Sequence, residues 1–166
     1  MALVKTPQRI RLAMLGMVDG NGHPYSWSAI VNGDYNAEAI AAGVCANLRK
    51  TDLIGSTHRG HGHVICKGGD INRMMAELYG KEEGYCKGRG GGMHIADFKA
   101  GHLGANAIVG GGVPIATGSA ISSRYFKNGK VTCCFAGDGA YANGVVLEAL
   151  NWAAMGQFTD PTYAKH

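Results

Sequence analysis

Lys130-Val-Thr-Cys-Cys-Phe-Ala-Gly-Asp-Gly-Ala-Tyr-Ala-Asn-Gly-Val-Val-Leu-Glu-Ala-Leu150 carries the reading that decides the fold. Apolar and β-branched residues run almost unbroken from Lys130 to Ala136, the pattern of a short strand covered on both faces. Gly137-Asp138-Gly139 stops that strand, and Tyr141–Met155 has helical spacing with Val145, Val146, Leu150 and Ala153 inward. Strand, tight turn and helix in this order form one step of an α/β unit, where ligands sit outside the carboxyl ends of the strands.

The same alternation continues upstream. Asn128-Gly129 turns the chain into that strand, and Pro114 sits in the first turn of a helix reaching about Phe126, where its missing N–H costs nothing. Asp70 is placed to cap a helix with apolar positions Ile71, Met74, Met75 and Leu78, stopped by Gly80. Residues 80–102 read as a loop, Asp52–Thr57 as a strand with a histidine cluster at its end. After Asn36 a helix places Ile40, Val44, Cys45 and Leu48 on one face. Residues 10–16 read as a further short strand, followed by a Gly-rich turn. The expected fold class is α/β, a mainly parallel sheet with helices on both faces. Residues 1–36 are expected to form an atypical strand and Gly-rich loop, and residues 37–166 an α/β domain expected to be truncated at its C-terminal end.

Composition removes several function classes. With 27 Gly in 166 residues against a usual ~7%, a helical bundle is excluded, and the absence of a three-residue glycine period excludes collagen. A net charge of +4 spread without a basic run argues against nucleic acid. The uncharged stretch 100–123 is long enough to cross a bilayer, but its glycines, His102, Asn106 and Pro114 suit a protein interior. Leu12–Val18 contains Gly16 and lacks a cleavage pattern, so neither a signal peptide nor a membrane anchor is expected. Five Cys form no C-x-x-C pair, and reduced, cytoplasmic thiols are the expected state.

Two loops carry chemistry. The turn Gly137-Asp138-Gly139 precedes a helix, whose first N–H groups suit a phosphate. A carboxylate there repels a phosphate unless Asp138 holds Mg²⁺, a hard cation that bridges carboxylate and phosphate oxygens. The second loop is Thr57-His58-Arg59-Gly60-His61-Gly62-His63. Arg59 offers a planar fork of donors for phosphate oxygens, whereas three close imidazoles could instead ligate zinc. A guanidinium among the ligands opposes a cation and favours the phosphate clamp. Gly88, Gly90, Gly91 and Gly92, and likewise residues 110–112, allow backbone to approach a ligand or another chain closely, but no Gly-Lys-Ser/Thr follows to make a P-loop.

Taken in order, the segments from Glu38 to Lys50, Ser56 to His63, Met74 to Lys81, Gly84 to His94, Ala107 to Pro114, Gly137-Asp138-Gly139 and Glu148 to Ala154 resemble a family. The chain is similar to the alpha subunit of the thiamine-diphosphate-dependent dehydrogenase component of 2-oxo acid dehydrogenase complexes, of the pyruvate and acetoin type. The resemblance implies a thiamine-diphosphate-binding α/β fold in which Asp138 ligates Mg²⁺ and Gly137, Gly139 and Ala140 line the diphosphate. It also implies that Arg59 contacts the diphosphate, that backbone groups of Ala107 and Val109 meet the aminopyrimidine, and that His58, His61 and His63 are the candidate catalytic residues. The implied chemistry is attack of the cofactor's ylid carbon on a 2-oxo acid or acetoin, with oxidative decarboxylation in the former case and acyl transfer to a lipoyl group. Implied partners are a beta-type subunit supplying the activating glutamate, in a heterotetramer, and a lipoyl-bearing acyltransferase component.

The chain departs from that pattern at several points. His58 stands where relatives often have Tyr, and Ala107 where they commonly have Gly. The family's metal site is completed by an Asn well downstream of the Asp, yet no Asn lies between Trp152 and His166. Residues 9–30 and 159–166 are more similar to the opening strand and loop, and weakly to the tail, of Gfo/Idh/MocA-type nicotinamide-dependent oxidoreductases. Two alternatives to the thiamine reading follow: a remnant of an NAD(P)-dependent oxidoreductase, or a non-catalytic assembly fragment whose apolar segment 100–123 packs against another subunit.

Overall fold

The computed structural model describes residues 12–15, 37–57 and 60–155. Among them, strands β1 (Leu12–Leu15), β2 (Leu53–Thr57), β3 (His102–Asn106) and β4 (Thr132–Phe135) form one parallel sheet in the order β1-β4-β2-β3. Five helices accompany them: α1 (Ala37–Asn47), α2 (His61–Cys66), α3 (Ile71–Leu78), α4 (Gly112–Tyr125) and α5 (Gly144–Ala154). Short 3-10 turns occupy Gly91–Met93 and Asp138–Ala142. The α/β architecture read from the sequence is the one observed.

The adjacent cysteines of β4 show how the sheet is covered. Successive strand side chains point to opposite faces. Cys133 therefore joins Ile54 and Phe135 beneath Ile40, Val44 and Cys45 of α1 and Leu48 just past its end. Cys134 faces the other way, into a cluster of Val113 and Ala116 from α4 with Val146 and Ala149 from α5. Both thiols are buried, and burial pushes them up to about 12 and about 11, so neither is a nucleophile at neutral pH.

The amino ends of β2 and β4 are tied by a buried carboxylate. Asp52 accepts hydrogen bonds from Arg49 Nη2 at 2.7 Å, the Arg49 backbone N–H at 2.8 Å and the Val131 N–H at 2.9 Å. Burial alone would raise its pKa, but these donors hold it below the usual carboxylate range.

Three elements differ from the sequence reading. β3 was missed within a segment read as loop and neutral run; its backbone pairs with β2, whereas Gly104 interrupts any strand-like pattern. In α3, capped by Asp70 through the N–H groups of Asn72 and Arg73, only Met74 of the four apolar positions is buried. The buried partner is Glu77, 1% exposed, because the Gly-rich loop folds over it: Cys86, Gly88, Gly90 and Gly91 donate N–H bonds of 2.7–3.0 Å to its carboxylate. Burial opposes the charge, yet four donors hold the Glu77 pKa below the usual range. Finally, α5 begins at Gly144 rather than Tyr141, since the Asn143 side chain caps it and a 3-10 turn fills the interval; Ala149 is buried where Leu150 was expected.

A candidate cofactor cleft at the carboxyl ends of three strands

β4 leaves the sheet through Gly137, which is extended, and the chain then tightens into the Asp138–Ala142 turn. An ideal Cβ on Gly137, Gly139 or Gly144 would meet nothing within 4 Å, so this turn borders open space. β3 ends at Asn106, whose Oδ1 accepts the Ile108 N–H at 2.9 Å and bends the chain into the loop 107–111. β2 ends between them at Ser56 and Thr57. These ends enclose a cleft of about 550 Å³, open solvent included.

Ala107, Val109, Gly137, Asp138, Gly139 and Ala140, singled out from the sequence, all line this one cleft. Asp138 is exposed at its rim, and its side chain makes no hydrogen bond or ion pair among the described residues. One free carboxylate beside open space fits Mg²⁺, which takes one or two protein carboxylates and completes its shell with phosphate oxygens and water. The chain just past β4 is a 3-10 turn rather than the start of an α-helix, which begins beyond Asn143, so the helix N-terminus expected directly after Gly139 is not there.

Arg59 and His58 lie outside the described residues. His61 and His63 stand on α2 two positions apart, on different sides of the helix, and neither lines the cleft. His63 is held by Ser56, Nδ1 to Oγ 2.7 Å, and stacks on Phe135 with ring centroids 3.9 Å apart. Both of those partners do line the cleft. Burial, then the neighbouring His102, push the His63 pKa down to about 4, so at neutral pH the ring is uncharged. His61 Nε2 is buried without a partner among the described residues, and a Cβ on Gly92 would overlap it. Among the described residues no three His, Cys, Asp or Glu side chains come together as a metal site; His58, the third imidazole of the cluster, lies outside them.

The first glycine run serves internal packing, while in the second Gly110 and Gly112 also line the cleft. Gly88, Gly90 and Gly91 donate to Glu77, and Gly112 brings α4 within 3.8 Å of the Ser56 carbonyl and 3.7 Å of Cys134 Sγ, measured from an ideal Cβ. Sequence reasoning missed Ser56, Asn106, Cys134 and Asn143 around the cleft. Asn143 was detectable, because Asn directly before Gly-Val-Val is a helix-capping signal.

The match to known proteins spans most of the chain. Residues 28–159 match the family model of the dehydrogenase E1 component. The chain belongs to the dehydrogenase E1 component family. It is 57% identical over 118 residues to the alpha subunit of acetoin:2,6-dichlorophenolindophenol oxidoreductase from Bacillus subtilis, covering 71% of this chain and 35% of that one. The corresponding subunit of Cupriavidus necator is 49% identical over 118 residues, with the same shares covered. The chloroplastic pyruvate dehydrogenase E1 component subunit alpha-3 of Arabidopsis thaliana is 39% identical over 140 residues, covering 81% of this chain and 32% of that one. The chain thus spans about a third of the length of these E1 relatives. Of the segments likened to nicotinamide-dependent oxidoreductases, residues 159–166 lie outside the described residues, as do residues 9–30 apart from β1. No helix among the described residues is long and apolar enough to cross a membrane.

Proposed function

We propose that this cleft holds thiamine diphosphate with Mg²⁺, and that the chain is the cofactor-holding part of an E1 alpha subunit acting on acetoin or a 2-oxo acid. The observation that carries the reading is the convergence of Ala107 and Val109 from one loop with Gly137–Ala140 from another at the mouth of a parallel sheet. In this reading Asp138 anchors the cation, Gly139 and Ala140 present backbone to the diphosphate, and Arg59 adds a guanidinium to it. Backbone groups of Ala107 and Val109 orient the aminopyrimidine. His58, His61 and His63 come from the segment after β2; His63, uncharged at neutral pH, orients the Ser56 hydroxyl on the cleft wall.

When bound, thiamine diphosphate supplies an electron sink for cleaving the bond beside a carbonyl, and the protein supplies position and electrostatics. Acetoin is favoured over pyruvate, since the acetoin-type relatives are 57% and 49% identical and the pyruvate-type one 39%. A beta-type subunit contributing the activating glutamate and a lipoyl-bearing acyltransferase are the partners of this reading, in a cytoplasmic heterotetramer. Five free thiols accord with a reducing compartment.

Calorimetric titration of the chain with thiamine diphosphate and Mg²⁺ tests the proposal. Saturable heat is expected for the natural chain, with affinity at least about tenfold weaker in Asp138→Ala, the loss of one charge-assisted contact. Equal heats for the two proteins would remove the reading.

A further inference from the structure

Two loops that face each other across the cleft are joined by a single side chain. Asn143 accepts the Val145 N–H on Oδ1 at 3.2 Å, capping α5, and donates from Nδ2 to the Val109 carbonyl at 3.1 Å. The two bonds use different atoms of one amide, so the start of α5 and the loop 107–111 are held at a fixed separation. The backbone shows the same close approach independently. Gly110 has φ +82, and a Cβ there would lie 3.1 Å from Val146 Cγ2 and 3.3 Å from Asn143 Cβ, so the loop rests directly on the first turn of α5. Val109 and Gly110 form one lip of the cleft, and Gly137–Ala140, joined to Asn143 through the same 3-10 turn, the other.

We propose that Asn143 is a positioning residue that latches the Val109 lip of the cleft to the Asp138 turn and so sets the spacing offered to a bound cofactor. The latch rests on the cofactor reading above for its functional consequence, but its structural claim stands apart from it. A carbonyl has two lone pairs, and Asn143 takes one at Val109. What Val109 can offer a ligand is its remaining lone pair and its N–H, on a backbone that Asn143 has already ordered. Removing the donor leaves that backbone to be ordered by the ligand, which weakens binding.

Asn143→Ser separates the latch from the cap. Serine caps helices about as well as asparagine but has neither the reach nor the amide donor for Val109. Two measurements on the full chain decide the matter: hydrogen exchange resolved to residues 108–113 and to α5, and calorimetric affinity for thiamine diphosphate with Mg²⁺. The Gly111 N–H, which donates to the Ile108 carbonyl at 3.0 Å, is the reporter of the lip. In Asn143→Ser it is expected to exchange about fivefold to tenfold faster, with α5 amides unchanged and cofactor affinity down by a similar factor. Asn143→Ala is expected to accelerate both regions. Unchanged Gly111 exchange in Asn143→Ser overturns the latch, as does faster exchange with undiminished affinity. If the natural chain binds no cofactor, the cofactor reading fails and the exchange arm alone decides whether Asn143 orders the lip.

Discussion

Glu77 is an acidic residue on a short helix with apolar neighbours, yet it is drawn inside beside Met74, because a carboxylate can accept four backbone N–H groups that a glycine-rich loop cannot otherwise satisfy in a buried position. Glu77→Ala strands those donors and is expected to lower unfolding free energy by about 3 kcal/mol, measured by urea denaturation, with faster hydrogen exchange at Cys86, Gly88, Gly90 and Gly91. An unchanged midpoint would mean the loop is held by something else. Gly88 makes the same point from the backbone side: its φ of +71 and its approach to the Gly80 carbonyl admit no side chain. The sequence displayed the glycines but not their partner, since nothing in residues 71–78 distinguishes Glu77 from a solvent-facing acid. At the cleft, by contrast, the place of Asp138 just past the carboxyl end of β4 was legible, because an apolar strand followed by Gly-Asp-Gly is a local pattern.

At the scale of elements, helix existence was legible and inward faces were less so. The apolar positions of α1 pack as their spacing implies, since that helix lies on a sheet face wide enough to cover the whole stripe. Those of α3 do not: Ile71 is 53% and Leu78 43% exposed, for the helix buries one edge against Val64, Ile95 and Tyr85. In α5 the cap at Asn143 shifts the start, and the buried stripe passes through Val146 and Ala149. Val146→Ala is therefore expected to cost about 2 kcal/mol through lost burial and the cavity left against Val113 and Cys134. Leu150→Ala, at a position 36% exposed, is expected to cost less than about 0.5 kcal/mol. Thermal unfolding of the two variants checks the order, and a larger loss at Leu150 would contradict the observed face.

For the whole molecule, two buried imidazoles couple stability to pH. His102 is fully buried with no hydrogen bond on either ring nitrogen to a described residue, and burial pushes its pKa down to about 4 despite the nearby Asp97; His63 is likewise pushed to about 4. An unfolded histidine titrates near 6.5, so between about pH 6.5 and 4 the unfolded chain binds protons that the folded chain does not. Stability is expected to be constant on this account above about pH 6.5 and to fall as pH drops toward 4, by up to about 3 kcal/mol for each ring. Glu77 and Asp52, with pKa values held below the usual carboxylate range, add a further loss at lower pH as they protonate. Denaturation midpoints measured from pH 7.5 to 4.5 check the slope, and His102→Leu is expected to flatten it; a flat profile in the natural chain would show that both rings protonate without unfolding. The sequence by itself determined the alternation of strand and helix apart from β3, the parallel sheet it implies, and the turn Gly137-Asp138-Gly139, since periodicity, caps and turn residues act over a few neighbours. Only the tertiary structure decided that Val109 meets Asn143, that Ser56 holds His63, and that a loop encloses Glu77, because each joins residues whose proximity is created by chain crossing and sheet order, which no local pattern encodes.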